Sequence, residues 1–474
     1  MTSSRRPRLL MIASTAALGF FLFGYDTAVI NGAIDALADQ LELGNGMKGF
    51  AVSSALLGCV AGAWFAGPLA NRFGRIPIML ASAVLFFVSA IGTGLAFGVG
   101  DLILWRVVGG LGVGAASVIA PTYIAEISPA AIRGRLVSLQ GLAGVTGIAV
   151  SLFVDAALAW SAGGAANPLW FDLEAWRWMF IAEALPAIAY GLAALRIPES
   201  PRYLVSLGRE AAAAEILHAC TGVADTAGKI KEIRRSIAVD HRMSLRDLAD
   251  RALGLKPIVW VGILVAISQQ FVGINVIFYY STTLWRSIGF DESNALLITA
   301  ITSLINIGAT VLSLVLIDRV GRKRLMLSGS LGMATTLGIM ALAFSQATLD
   351  AGGTVLLPGL WGPVALVSAN LFVAFFGATW GSVMWVLLGE MFPNQIRAGA
   401  MAVATSANWL ANFTISTTFP LLAAFSLTAS YGFYALCALA SFFLVRWFVQ
   451  ETNGVELEEM GNAPRDSKPL QREI

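Results

Sequence analysis

About twelve apolar stretches, each near or above the ~20 residues a helix needs to cross a bilayer, leave this chain few ways to fold. They run over residues 9–31, 49–70, 77–97, 101–125, 136–160, 177–197, 257–285, 293–317, 325–346, 363–388, 399–424 and 430–449. Lipid offers no hydrogen-bond partners, so a spanning backbone must satisfy itself, and segments of this length do so as helices. Only 13% of residues are charged and 57% are hydrophobic, against roughly 25% charged in a soluble chain. The reading is an all-α membrane protein embedded in a lipid bilayer. The net charge of +2 implies no nucleic-acid or acidic partner. Cys59, Cys220 and Cys437 are far apart, His218 and His241 stand without ligand partners nearby, and no metal site or cofactor is expected. With no Ser/His/Asp set and no phosphate loop, an enzyme is not expected. The run Gly109-Gly110-Leu111-Gly112-Val113-Gly114 falls within a span, so close helix packing explains it better than nucleotide binding.

Cations orient the spans. Arg5, Arg6 and Arg8 precede the first; Arg72 and Arg75 follow the second, Arg133 and Arg135 the fourth, Arg319, Arg322, Lys323 and Arg324 the eighth, and Arg397 the tenth. The alternate loops are cation-poor. Both termini are therefore expected in the cytoplasm of a cell-membrane protein. The basic start, Met1 to Arg8, lacks a cleavage site where one is needed, so the first span is expected to remain. Residues 198–256 form one long polar insert with Arg209-Glu210 and the run Lys229 to Arg235, expected as short amphipathic cytoplasmic helices with a solvated charged face. The expected division is an amino-terminal six-helix bundle over 1–197, this linker, a carboxy-terminal six-helix bundle over 257–450, and a cytoplasmic tail over 451–474.

The two halves repeat. Asn71-Arg72-Phe73-Gly74-Arg75 follows the second span, and Asp318-Arg319-Val320-Gly321-Arg322 the eighth. Glu126 to Arg133 follows the fourth and Glu390 to Arg397 the tenth, both with a Pro in third place after the Glu. Pro198-Glu199-Ser200 ends the sixth and Gln450-Glu451-Thr452 the twelfth. Repeated halves around a midplane site mark secondary transporters.

Two features inside the spans are polar where lipid forbids it. Gln269, Gln270 and Asn275 lie in the seventh span. On an unbroken helix Gln270 and Asn275 fall within ~140° of each other. Amides both donate and accept, which suits an uncharged polyol; the same residues also serve as interhelical glue. Asp26 sits mid-span among apolar and small residues. A carboxylate there costs about 2.5–3.5 kcal/mol on insertion scales, so it is paired or protonatable.

These residues together resemble the sugar porter branch of the major facilitator superfamily, which holds bacterial proton-coupled hexose and pentose symporters and glucose facilitators. The likeness runs from Gly19 to Gly454. It is carried by Phe23-Gly24-Tyr25-Asp26, by Arg106 with Gly110, Gly112 and Gly114, and by Pro121, Tyr123, Glu126, Arg133 and Gly134. Pro198 to Arg202, the stretch Gln269 to Tyr280, Trp385 and Trp409 complete it. The resemblance implies twelve transmembrane helices in two pseudo-symmetric six-helix bundles and a central monosaccharide site open alternately to each side. Carried over by position, it nominates Gln269, Gln270, Asn275, Asn306, Trp385, Asn408, Trp409 and, more weakly, Phe23 as sugar-binding. It pairs Asp26 with Arg106 for proton coupling, and places Tyr279 and Tyr280 in the outer gate. Arg72, Arg75, Glu126, Arg133, Glu199 and Arg202 in one half, and Asp318, Arg319, Arg322, Glu390, Arg397 and Glu451 in the other, are expected to form inner gates that latch the outward-open state. Trp160, Trp170, Trp176 and Trp178, near a loop, are expected as interfacial or core residues.

The chain departs from the family pattern at four places. Gly141 stands where a sugar-binding Gln is usual, with Gln140 one residue earlier; Gly381 is followed by Ser382 rather than Pro; Asn71 replaces an Asp; and the last motif lacks its Pro and Lys. The expected function is uptake of a hexose such as D-glucose by proton symport, most simply as a monomer. A facilitator with the same site and a non-transporting sugar sensor are the other readings, and the short tail after Gly454 speaks against the sensor.

Overall fold

The computed structural model describes residues 5–221, 225–239, 248–250, 254–349, 355–393 and 396–452. Among them, nineteen helices follow in order. The first half holds α1 (Arg5–Ala28), α2 (Ile30–Gln40), α3 (Asn45–Phe73), α4 (Arg75–Gly94), α5 (Val99–Ile127), α6 (Ala130–Ala162), α7 (Ala175–Ala182) and α8 (Ala184–Ala194). Three short helices follow, α9 (Pro201–Ser206), α10 (Glu210–Thr221) and α11 (Thr226–Val239). The second half holds α12 (Pro257–Phe271), α13 (Ile274–Ser287), α14 (Glu292–Val320), α15 (Arg322–Ser345), α16 (Trp361–Ala378), α17 (Trp380–Met391), α18 (Arg397–Phe425) and α19 (Leu427–Phe448). Counting α1–α2, α7–α8, α12–α13 and α16–α17 as single interrupted spans gives the twelve transmembrane helices of the expected fold.

Ten spans are long and apolar enough to cross a membrane by length and composition alone. The other two have visible reasons for falling short. Span six is interrupted at Glu183, between α7 and α8, and α18 carries Asn408, Asn412 and a run of Ser and Thr. Span seven is interrupted too: Gly273, with φ of +82°, separates α12 from α13. The span-ten break falls at Thr379, before Gly381, although the usual Pro is missing.

The structure separates into two compact units. One comprises residues 1–241, 276–307 and 416–421; the other comprises 242–275, 308–415 and 422–474. In the first unit, Gly110 and Gly114 of α5 lie on the backbone of α3 at Ala55 and Cys59, so a Cβ at either would collide with a carbonyl oxygen. The glycine run of span four therefore works by close helix contact, as its place in the sequence suggested. The linker helices form a small core of their own from Leu204, Val205, Ala213, Leu217 and Ile230.

Candidate functional site

The second unit holds a buried chain of amides. Asn275 Nδ2 donates to Gln270 Oε1 at 2.6 Å, and Gln270 Nε2 donates to Asn408 Oδ1 at 3.0 Å. Asn408 Nδ2 donates to Gln269 Oε1 at 2.9 Å and to the Ala266 carbonyl at 2.8 Å, while Gln269 Nε2 donates to the Trp380 carbonyl at 3.1 Å. The break at Gly273 places Asn275 on a new helix, so the unbroken-helix spacing does not describe it. The contact forms because the chain turns back there. Gln269, Gln270 and Asn408 are buried, and Trp409 is buried beside Asn408 on α18. Trp385 is 37% exposed and offers a face, whereas Trp380, at the start of α17, is fully buried and tied by its Nε1 to Met326 O and Ser330 Oγ, both at 3.0 Å. Gln270, Asn275 and Asn408 retain lone pairs or N–H groups beyond these bonds, whereas Gln269 also meets the Gly381 carbonyl at 3.5 Å and Gln270 Nε2 at 3.4 Å and is fully bonded. The cluster thus offers neutral donors and acceptors, and Trp385 of the same unit an accessible indole, a chemistry that fits hydroxyls and the C–H face of a ring.

Phe23 and Asn306 belong to the first unit. Phe23 meets Phe20 edge-on with centroids 5.0 Å apart, and Asn306 is buried on α14. Gln140 is half-buried, and its Oε1 has no hydrogen-bond partner among the described residues.

The first unit also holds the charge pair. Arg106 on α5 reaches Asp26 on α1: its Nη1 donates to Oδ1 at 3.1 Å and to the Asp26 carbonyl at 3.0 Å. Both side chains are 2% exposed. Pairing is incomplete, since Asp26 Oδ2 and Arg106 Nε have no partner among the described residues. Glu183 is equally buried and stands within electrostatic reach of both. The sequence reading passed over Glu183, although its setting, Phe180-Ile181-Ala182-Glu183-Ala184-Leu185, carries the same signal as Asp26.

A second missed group closes one end of this unit. Asn31 on α2 donates to the Phe278 carbonyl of α13 at 2.8 Å and to Ser281 Oγ at 3.0 Å, and it accepts from Thr282 N at 3.2 Å. Asp35, one turn on, accepts from Lys48 at 2.6 Å, Thr283 at 2.7 Å and Arg286 at 3.1 Å. Tyr280 donates to the Ser416 carbonyl at 2.7 Å and lies against Phe419; Tyr279 is buried beside it. Asn31 and Asp35, four residues apart in an apolar run, form a polar stripe that the sequence displays. Near the same end, Trp176 is fully buried and donates to Gln40, while Trp160 and Trp170 are exposed and Trp178 stacks edge-on against Trp170.

At the opposite ends the two halves match nearly atom for atom. Arg75 makes a two-pronged bond to Glu126 at 2.8 and 3.0 Å and sends Nη1 to the Ala70 carbonyl. Glu199 accepts from the backbone N–H groups of Arg75 and Ile76, and Ser200 Oγ donates to Glu126. In the other half Arg322 makes the same two-pronged bond to Glu390 at 2.9 and 3.1 Å and sends Nη1 to the Ile317 carbonyl. Glu451 accepts from the N–H groups of Arg322 and Lys323, and Thr452 Oγ1 donates to Glu390. The backbone must approach both acceptor carboxylates closely, with φ of +103° at Gly74 and +91° at Gly321. Among the other nominees, Asp318 pairs with Arg322 at 3.0 Å, Arg397 Nε donates to the Phe392 carbonyl, and Arg72 covers the Phe73 ring. Arg202 and Arg319 belong to α9 and α14. The Arg133 side chain lies outside the described residues. Each cluster is complete within its own unit.

A family model described as "Sugar (and other) transporter" matches residues 12–463. A glucose transport protein of Synechocystis sp. is 53% identical over 454 residues, 95% of this chain and 97% of that one. A D-xylose-proton symporter of Escherichia coli is 38% identical over 488 residues, 95% of each. The inward-open structure of the xylose transporter XylE from E. coli superposes with a TM-score of 0.81 at 36% identity, covering 96% of this chain and 99% of that one.

Proposed function

Since this chain belongs to the sugar transporter family of the major facilitator superfamily, we propose that it carries a monosaccharide, a hexose such as D-glucose, into the cell together with a proton. The observation that carries this reading is that the chain holds both an incompletely paired, buried Asp26–Arg106 couple and a separate buried cluster of neutral amides. The likeness to a glucose transport protein supports the hexose, and the likeness to a D-xylose-proton symporter supports the proton.

The mechanism is linkage between protonation and conformation. With Asp26 ionised, Arg106 holds α1 to α5. A proton on Asp26 weakens that attraction and changes the relative stability of the states that alternate in transport. Gln269, Gln270, Asn275 and Asn408 hydrogen-bond the sugar, Trp385 and Trp409 cover its apolar face, and Phe23 and Asn306 complete the set. Tyr279, Tyr280, Asn31 and Asp35 close the outer side. The Arg75–Glu126–Glu199 and Arg322–Glu390–Glu451 clusters act as inner gates that latch the outward-open state at the cytoplasmic ends of the two halves, which divide at the 198–256 linker. The multi-pass chain sits in the cell membrane with both termini cytoplasmic, following its cations, and works as a monomer.

The test is uptake of labelled D-glucose and D-xylose into proteoliposomes with and without an inward proton gradient. Gradient-dependent accumulation of the hexose is expected. Equilibration that ignores the gradient would establish the facilitator reading instead.

A further inference from the structure

Asp155 lies far along α6 and is fully buried, at 0% exposure. Its side chain packs on the bare α-carbon of Gly32 in α2: a Cβ at Gly32 would come within 2.6 Å of Asp155 Cβ and 2.9 Å of its Oδ2. Neither carboxylate oxygen accepts a hydrogen bond of good geometry among the described residues, although the Gly32 backbone N–H faces the carboxylate. The elements packed against α6 are α1, α2, α5, α7 and the short strand β1 (Pro168–Trp170). Their cations near this level are engaged elsewhere, Arg106 with Asp26 and Arg177 with Glu174. Arg5, Arg6 and Arg8 sit at the far start of α1. Of the acids, Asp35 of α2 is taken by Lys48 and Arg286. Asp39 of α2 is exposed, and Asp101 and Glu126 lie toward the two ends of α5, bonded to Phe97 and Arg75. What remains is Tyr25 of α1, within electrostatic reach of Asp155 and Glu183, and Glu183 itself; among the described residues neither the Tyr25 hydroxyl nor Glu183 Oε1 has a hydrogen-bond partner.

We propose that Asp155 is a second proton-binding group of this protein, distinct from Asp26, and that its proton is tied to closure of α2 on α13. A buried carboxylate with no cation, faced by a single backbone N–H, has little to offset its lost hydration. As a neutral acid, Asp155 lets Gly32 rest directly on it. Gly32 is the neighbour of Asn31, the residue that holds α13 through Phe278, Ser281 and Thr282. Ionising Asp155 requires water where Gly32 now covers it, so proton release works against the closure and proton binding supports it. The proton comes from solvent and returns there; only an O–H bond is made and broken.

Hydrogen–deuterium exchange of segments 29–40 and 276–287, corrected for the intrinsic effect of pH, reads this without sugar or gradient, so its failure is distinct from failure of the transport reading. The proteins are Asp26→Asn and Asp26→Asn/Asp155→Asn. In the first, both segments are expected to lose protection as pH rises; in the second, that step is lost and protection stays at its acid level. Superimposable pH profiles of the two proteins overturn the proposal. Infrared pH-difference spectra of Asp26→Asn/Glu183→Gln give a second readout that leaves Asp155 in place. A carboxylic-acid carbonyl band that disappears on alkalinisation is expected, and its absence at acid pH overturns the proposal as firmly.

Discussion

One buried polar set in each unit differs in kind from the other. Asp26, Arg106, Asp155 and Glu183 in the first are ionisable; Gln269, Gln270, Asn275 and Asn408 in the second do not titrate. At the loops the difference vanishes, because Arg75, Glu126, Glu199 and Ser200 repeat as Arg322, Glu390, Glu451 and Thr452 in the same bonding pattern. The same bonding plan thus serves both loop regions, while the buried groups differ: ionisable side chains in the first unit and neutral amides in the second.

Substitutions in the two sets should therefore fail differently. The largest effect is expected from Asp26→Ala, which strands Arg106 in the interior; breaking a buried pair this way costs about 3–5 kcal/mol. Thermal melting in detergent should show a deep loss for Ala and a much smaller one for Asn, whose carbonyl still receives Arg106. Next comes Gln270→Ala. Leaving the partners of a buried amide unsatisfied costs about 1–3 kcal/mol, a loss of sugar affinity of roughly 5- to 150-fold. Equilibrium binding should show that loss while proton-driven uptake persists at high sugar; lost coupling at saturating sugar would break the division between the units.

Gly74→Ala and Gly321→Ala test the shared plan. Each backbone position is glycine-only territory, and strain of roughly 1–3 kcal/mol is expected at both, with similar drops in melting temperature. Unequal drops would mean that the repeat is geometric but not energetic. The smallest expected effect is a difference between halves. The Glu126 side chain is 10% exposed and Glu390 28%, so Glu126→Gln should destabilise more than Glu390→Gln, by about 1 kcal/mol.

Much of this was legible in the sequence because its signals are physical. Lipid imposes span length, and the repeated Gly-Arg and Glu-x-x-Pro landmarks fall on bonds that the structure makes. The amides were found for the same reason: each stood where lipid offers nothing to bond. Asp155 and Glu183 gave that signal as plainly as Asp26 and were overlooked because no family motif drew attention to them. Asn31 and Asp35 were overlooked because they lie at the end of a span, where a polar residue usually just meets water. The break at Gly273 was hidden by the apolar residues around it. Periodicity describes an unbroken helix, and a single positive φ defeats it.

The division of labour is tested most directly by one pair of assays on Asp26→Asn in proteoliposomes: accumulation of labelled glucose against a gradient, and equilibrium exchange without one. The account predicts that accumulation disappears while exchange survives, because the sugar-binding amides are untouched. Accumulation that persists in the variant, with exchange unchanged, would contradict it and leave Asp26 a structural partner of Arg106.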